Sequence, residues 1–163
     1  MSDLSDLEPL LPEDAFEANL NFRLLRLASL LSTHFQRTTL RKKNVSVQEY
    51  RLMVSIARHG AGHLRDLARK AAIDPAHASR AMKAMLEKGW VRRRPHPSDK
   101  RRAIYSITPA GKDVFFSIYP AADEFARQMA APFTPEQVEQ FRDMIDLARV
   151  QAARLLEAET LKD

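Results

Sequence analysis

The sequence predicts a mainly helical fold with one small β-hairpin, an α+β arrangement in the order four helices, hairpin, two helices. Three observations lead there. Apolar residues recur at spacings of three and four over most of the chain, and residues that cap helix N-termini stand ahead of those runs. A single stretch, WVRRRPHPSDKRRAIYSIT, breaks the helical period with β-type residues around a polar centre. At 163 residues and 45% apolar content, the chain is long enough for one or at most two domains with a buried core.

The opening residues 1–13 carry no Lys or Arg and contain two prolines, so they read as an acidic arm. From about Asp14 to Leu40, Phe16, Leu20, Leu24, Leu27, Leu31 and Phe35 fall on one stripe of a long first helix, which the basic run Arg37 to Asn44 ends. Ser46 and Glu49 form a capping box for a second helix, with Tyr50, Met53, Val54 and Ala57 on its apolar side and Gly60 as its stop. A third helix is expected from about Leu64 to Ala72, and Asp74 with Pro75 starts a fourth that Gly89 closes. Ala78, Ala81, Met82, Met85 and Leu86 make its apolar stripe. After the hairpin, Thr108-Pro109 caps a fifth helix with Phe115, Ile118, Ala122, Phe125 and Met129 on one face. Thr134 to Gln137 is a second capping box, ahead of a sixth helix striped by Val138, Phe141, Ile145, Ala148, Ala152 and Leu155.

Charge points to a partner. The net charge is +5, but residues 63–102 hold 12 Lys/Arg against 4 Asp/Glu, so one basic segment sits in an otherwise mildly acidic chain. That distribution is expected when one surface meets the phosphates of double-stranded DNA. The absence of cysteine excludes disulfides, thiolate metal sites and a cysteine nucleophile. No apolar run of about 18 residues offers a membrane span, and the acidic start lacks the basic region of a secretory signal, so a cytoplasmic location without membrane contact is expected. Four glycines supply no phosphate-cradling loop, and no nucleophile elbow or helical two-histidine zinc motif occurs, so the chain is not expected to be an enzyme or to need a cofactor. His59 and His63 are four apart, but Gly60 and Gly62 break any helix between them, which argues against a metal site.

Two short helices across a tight turn, the second with a basic outer face, are a helix-turn-helix. Pro75, Ala76, His77, Ser79, Arg80 and Lys83 lie at the start or on the outer face of the second helix, where a major groove would be read. A solvated helix face is the competing reading of these positions. The hairpin strengthens the first: Arg92, Arg93 and Arg94 enter it, Lys100, Arg101 and Arg102 leave it, and Asp99 sits beside the tip, where it can orient an arginine toward a minor groove.

The run HLRDLARKAAIDPAHASRAMKAMLEKGWVRRRPHPSDKRRAIYSITPAGK resembles the core of MarR-type regulators. The shared elements are the LA-containing helix, the SR pair of the fourth helix, the glycine before the first strand, the D-x-R-R tip and the T-x-x-G start of the next helix; residues 46–112 carry the match. The resemblance implies a winged helix-turn-helix at 45–108, flanked by a helical dimerisation region at 14–44 and 109–158. It further implies a homodimer on a pseudo-palindromic operator, with DNA contacts at Ser79, Arg80, Asp99 and Arg101. A small-molecule effector, often an aromatic acid, is implied between the helical region and the winged lobe, its binding releasing a repressor from DNA. Asn19, Arg23, Arg26 and His34 are the candidate carboxylate partners, with ordinary solvated positions as the competing reading. Arg51 is expected in an internal salt bridge. A non-specific, architectural DNA-binding protein is the alternative function.

Overall fold

Local capping chemistry sets most helix boundaries. The computed structural model describes residue 12, residues 16–96 and residues 102–160. Its elements are α1 (Leu20–Phe35), α2 (Val47–His59), α3 (Leu64–Lys70), α4 (Pro75–Glu87), β1 (Val91–Pro95), β2 (Ala103–Ile107), α5 (Pro109–Ala130) and α6 (Pro135–Thr160). The mainly helical fold with one antiparallel hairpin is the one the sequence predicts. The chain divides into a unit ending at Tyr119 and one beginning at Pro120, a residue inside α5.

Helix α1 starts later than the apolar spacing suggests. Asn19 accepts a hydrogen bond from the Phe22 amide at 3.0 Å and caps the helix, so Phe16 lies in the preceding turn and rests against the Phe22 ring. The basic run does not terminate the helix at Leu40 either. The chain widens into a π turn over Gln36–Leu40 and tightens into a 3₁₀ turn over Arg41–Lys43, until Asn44 takes the left-handed conformation with φ 54°. Fully buried Leu40 anchors this stretch in a cluster with Val45 and Ile118, which packing favours over an early stop.

In α2 the capping box forms as expected: Ser46 Oγ accepts from Glu49 N at 3.1 Å, and Ser46 N donates to Glu49 Oε2 at 2.7 Å. Its buried face is broader and rotated from the expected stripe. Leu52, Met53, Ser55 and Ile56 are buried, Tyr50 and Val54 are half-buried, and Ala57 is exposed. The helix packs into the main core with one flank and against the Leu40 cluster, through Tyr50, with another, so a single stripe underestimates it. Helix α3 ends at Lys70, two residues short of Ala72, because Ala72 adopts φ 50° and the Ile73 amide folds back to Ala68 O at 2.9 Å. Among the described residues Arg51 makes no salt bridge, contrary to expectation. Its guanidinium donates to the carbonyls of Ala71 and, at 2.9 Å, Ala72, satisfying acceptors that the end of α3 leaves open.

The main core joins Leu52, Met53 and Ile56 of α2, Leu67 and Ala68 of α3, Ala78, Ala81, Met82 and Met85 of α4, and Val91 of β1. Beside it, Lys88 Nζ lies 2.8 Å from Glu49 Oε1 and 2.8 Å from Asn44 O, and stands over the Trp90 ring at 4.4 Å. The Glu49 side chain is 3% exposed and that of Lys88 28%. Lys88→Met is expected to lower stability by about 2–3 kcal/mol, below the 3–5 typical of fully buried pairs because Lys88 keeps some water. Urea denaturation checks this, and the double variant Glu49→Gln/Lys88→Met should recover part of the loss; an unchanged midpoint in Lys88→Met would show a pair already screened by solvent.

Strand β1 pairs with β2 in the register Val91 to Ile107 and Arg93 to Tyr105, and His96 N donates to Arg102 O at 2.8 Å beyond the ladder. Gly62 extends the hairpin as an isolated bridge, exchanging bonds with Tyr105 at 3.1 and 2.9 Å. At the start of α5, Thr108 Oγ1 donates to Gly89 O at 2.7 Å and accepts from Gly111 N at 3.1 Å, which ties the end of the hairpin to the turn after α4. The second capping box also forms: Thr134 N donates to Gln137 Oε1 at 2.9 Å and Gln137 N to Thr134 Oγ1 at 3.3 Å. Helix α6 leaves Phe141, Met144, Ile145, Leu147, Leu155 and Leu156 exposed.

Candidate nucleic-acid interface

The helix-turn-helix is α3 and α4. Asp74 accepts from Ala76 N at 2.9 Å and His77 N at 3.2 Å, so two amides at the start of α4 are satisfied by one carboxylate, and Pro75 occupies the first turn where its missing N–H costs nothing. Burial of Ala78, Ala81, Met82 and Met85 fixes the helix's rotation. Pro75, Ala76, His77, Ser79, Arg80 and Lys83 are consequently exposed together. His77 Nδ1 lies 3.3 Å from Asp74 and Lys83 lies 3.9 Å from Glu87, both solvent-exposed contacts of small energetic weight. The Arg80 guanidinium has no ion pair or hydrogen bond among the described residues.

The hydrogen bond from the His77 amide, joined by that from Ala76 and opposed by desolvation, holds the Asp74 carboxyl below the ordinary aspartate value of 3.8. A depressed folded-state value means that its contribution is complete above the unfolded-state value and is lost as pH falls through the folded one. Amide protection factors at Ala76 and His77 are expected to drop on acidification below about pH 4, and Asp74→Asn, which keeps the cap, should flatten that response. Protection in the native chain that stays constant down to acid unfolding would remove the carboxylate from the capping role.

The hairpin presents the second group. Arg92, Arg93, Arg94 and Arg102 are exposed; Arg92 Nε donates to Ser106 Oγ at 3.0 Å, while Arg93, Arg94 and Arg102 have no carboxylate partner among the described residues. Asp99, Lys100 and Arg101 lie outside the described residues. His63 Nδ1 is 2.8 Å from Ala103 O and its ring lies 5.2 Å from that of His96, at the end of the paired strands nearest the tip.

The effector candidates occupy different settings along α1. Asn19 is the α1 cap. Arg23 and Arg26 approach Glu17 at 3.5 and 4.0 Å and line a shallow groove of about 230 Å³ with Phe22, Leu27 and Leu30. His34 is exposed and does not line that groove.

Sequence reasoning passed over a larger cleft of about 490 Å³, lined by Arg41, Asn44 and Gln48 before and within α2 and by His77, Arg80 and Lys88 of α4 and its end. The basic run 41–43 was its one sequence signal, and that run reads equally well as a helix terminator.

Comparisons with known proteins place this geometry. The sequence model of the MarR family matches residues 45–103. The regulator BilQ of Clostridium symbiosum is 25% identical over 124 residues, covering 76% of this chain and 86% of BilQ. The homoprotocatechuate degradative operon repressor of Escherichia coli is 24% identical over 128 residues, 78% and 86% of the two chains. Among solved structures, NadR in complex with 4-hydroxyphenylacetate superposes with a TM-score of 0.71 at 23% identity, over 85% of this chain and 97% of NadR. A mutant of E. coli MarR complexed with operator DNA gives 0.72 at 18% identity, over 83% and 98%. Among the described residues no helix is long and apolar enough to cross a membrane. The helix-turn-helix and the two-stranded wing fall largely within the matched segment, so the chain carries a MarR-family winged helix-turn-helix domain at residues 45–103.

Proposed function

We propose that this regulator binds a pseudo-palindromic operator as a homodimer, represses from it, and is released by a small effector of the aromatic-acid type. The observation that carries the DNA reading is the set of exposed arginines on α4 and the hairpin, Arg80, Arg93, Arg94 and Arg102, which have no carboxylate partner among the described residues. Pro75, Ala76, His77, Ser79, Arg80 and Lys83 enter the major groove, and Arg94, Asp99, Lys100, Arg101 and Arg102 form the wing that reaches the adjacent backbone and minor groove. Segments 14–44 and 109–158 form the dimer. Their exposed Leu20, Leu25 and Leu30 in one unit, and Leu147, Leu155 and Leu156 in the other, are surface that a second copy would remove from water. The aromatic-acid class is supported by the solved complex of NadR, and the repressing direction by the name of the E. coli relative.

Fluorescence anisotropy with labelled duplex from upstream of the protein's own gene, against a scrambled duplex at two salt concentrations, tests the reading. Tight binding to the first duplex alone, retained at physiological salt and lost on adding an aromatic acid, is the expected result. Equal and salt-sensitive binding to both duplexes would instead support the architectural alternative.

A further inference from the structure

The cleft beside α4 has a charge balance that the proposed DNA contacts leave unused. Its wall before α2 carries Arg41, held in the 3₁₀ turn 41–43 that Asn44 closes in the left-handed conformation. Its other wall is the same exposed side of α4 that presents His77 and Arg80. The Arg41 and Arg80 guanidinium groups have no ion pair or hydrogen bond among the described residues. Glu49, the one acidic residue lining the cleft, already has its counter-ion in Lys88 at 2.8 Å. What remains is an open, positively charged trough, with one of its free arginines supplied by the helix proposed to enter the groove.

We propose that this cleft seats a backbone phosphate of duplex DNA, with Arg41 as its dedicated cation and Arg80 shared between the phosphate and the groove. The proposal rests on the DNA-binding reading and adds a contact from outside the helix-turn-helix. A helix in the major groove is flanked by phosphates on both sides. Arg41 lies 39 residues before Arg80 in the chain, so the pairing is made by the fold alone.

A phosphate contact is independent of sequence, so the test needs no operator. Binding of the full chain to a labelled random-sequence duplex of about 30 bp, three helical turns, is measured over a salt series. In Arg41→Ala the slope of log affinity against log salt should become shallower by about 0.9 for each phosphate lost, which amounts to about a fivefold loss at physiological salt for one contact. Arg41→Lys, which keeps a point charge, should restore the slope. An unchanged slope in Arg41→Ala, while the native chain binds and Arg80→Ala weakens it, overturns the phosphate seat and leaves the DNA reading standing. A native chain that binds no duplex overturns both. A thermal shift with inorganic phosphate that depends on Arg41, combined with an unchanged DNA slope, would assign the cleft to a free anion and also overturn the proposal.

Discussion

Arg80→Glu is expected to reduce operator affinity by a hundredfold or more while leaving the protein folded. A well-placed arginine contact to a base edge is worth about 1–3 kcal/mol, and a glutamate adds repulsion from neighbouring phosphates to that loss. In a homodimer the change occurs in both half-sites. The folded state gives up little, because Arg80 is exposed and its guanidinium has no partner among the described residues, so stability should change by no more than the about 0.5 kcal/mol of ordinary surface substitutions. Anisotropy and a thermal melt on one preparation separate the two effects. Retained binding would show that the exposed face of α4 is not the reading surface; lost binding together with a lowered melting temperature would show that Arg80 holds the fold.

Gly111→Ala is expected to have the largest effect on stability of the four glycine-to-alanine changes this chain allows. Gly111 is buried in the first turn of α5, and a Cβ there would overlap the Trp90 carbonyl oxygen and come within 2.8 Å of Ile107 Cγ1. That carbonyl is not free to move: it accepts the Thr108 amide at 3.0 Å, at the junction where the hairpin passes into α5. Overpacking against fixed backbone costs about 1–3 kcal/mol, and the upper end applies here because the nearest obstacle is main chain. About 3 kcal/mol corresponds to a fall in melting temperature of roughly 6–12 °C for a chain of this size. Gly60→Ala is the control. Gly60 has φ 77° and ψ −169° but open space around its Cβ position, so backbone strain of about 1–3 kcal/mol is the whole of its cost. Gly111 has no positive φ, so a loss there reports the Trp90 contact, and an unchanged melting temperature in Gly111→Ala would show that the Trp90 carbonyl gives way without cost.

The two glycines show what kind of information the sequence carries. Ser46 with Glu49, Asp74 with Pro75, and Thr134 with Gln137 are capping signals whose partners lie within one helical turn, so their residue types and spacing were enough to locate the starts of three helices. The β-type residues on either side of the hairpin's polar centre and the basic residues that flank its tip were legible for the same reason. Periodicity was less reliable where an element packs on two sides. It rotated the face of α2, and it carried α1 back to Asp14 although Asn19 caps it.

Contacts between residues far apart in the chain were hidden. Arg51 was expected to meet a carboxylate, and instead closes the end of α3 through two carbonyls, because main-chain acceptors have no signature in side-chain identity. The Thr-x-x-Gly pattern at 108–111 was visible as a motif, but its requirement for glycine comes from Trp90, whose carbonyl reaches that spot only after the hairpin has turned the chain back. By itself, then, the sequence determined the helical periods, the caps, the wing and the concentration of positive charge in one segment, since each is set by neighbours along the chain. The fold alone decided that Lys88 neutralises Glu49 and that Arg41 stands across a cleft from Arg80. Those pairings span 39 residues each, and a charge separated by that much chain finds its place only when packing fixes both ends.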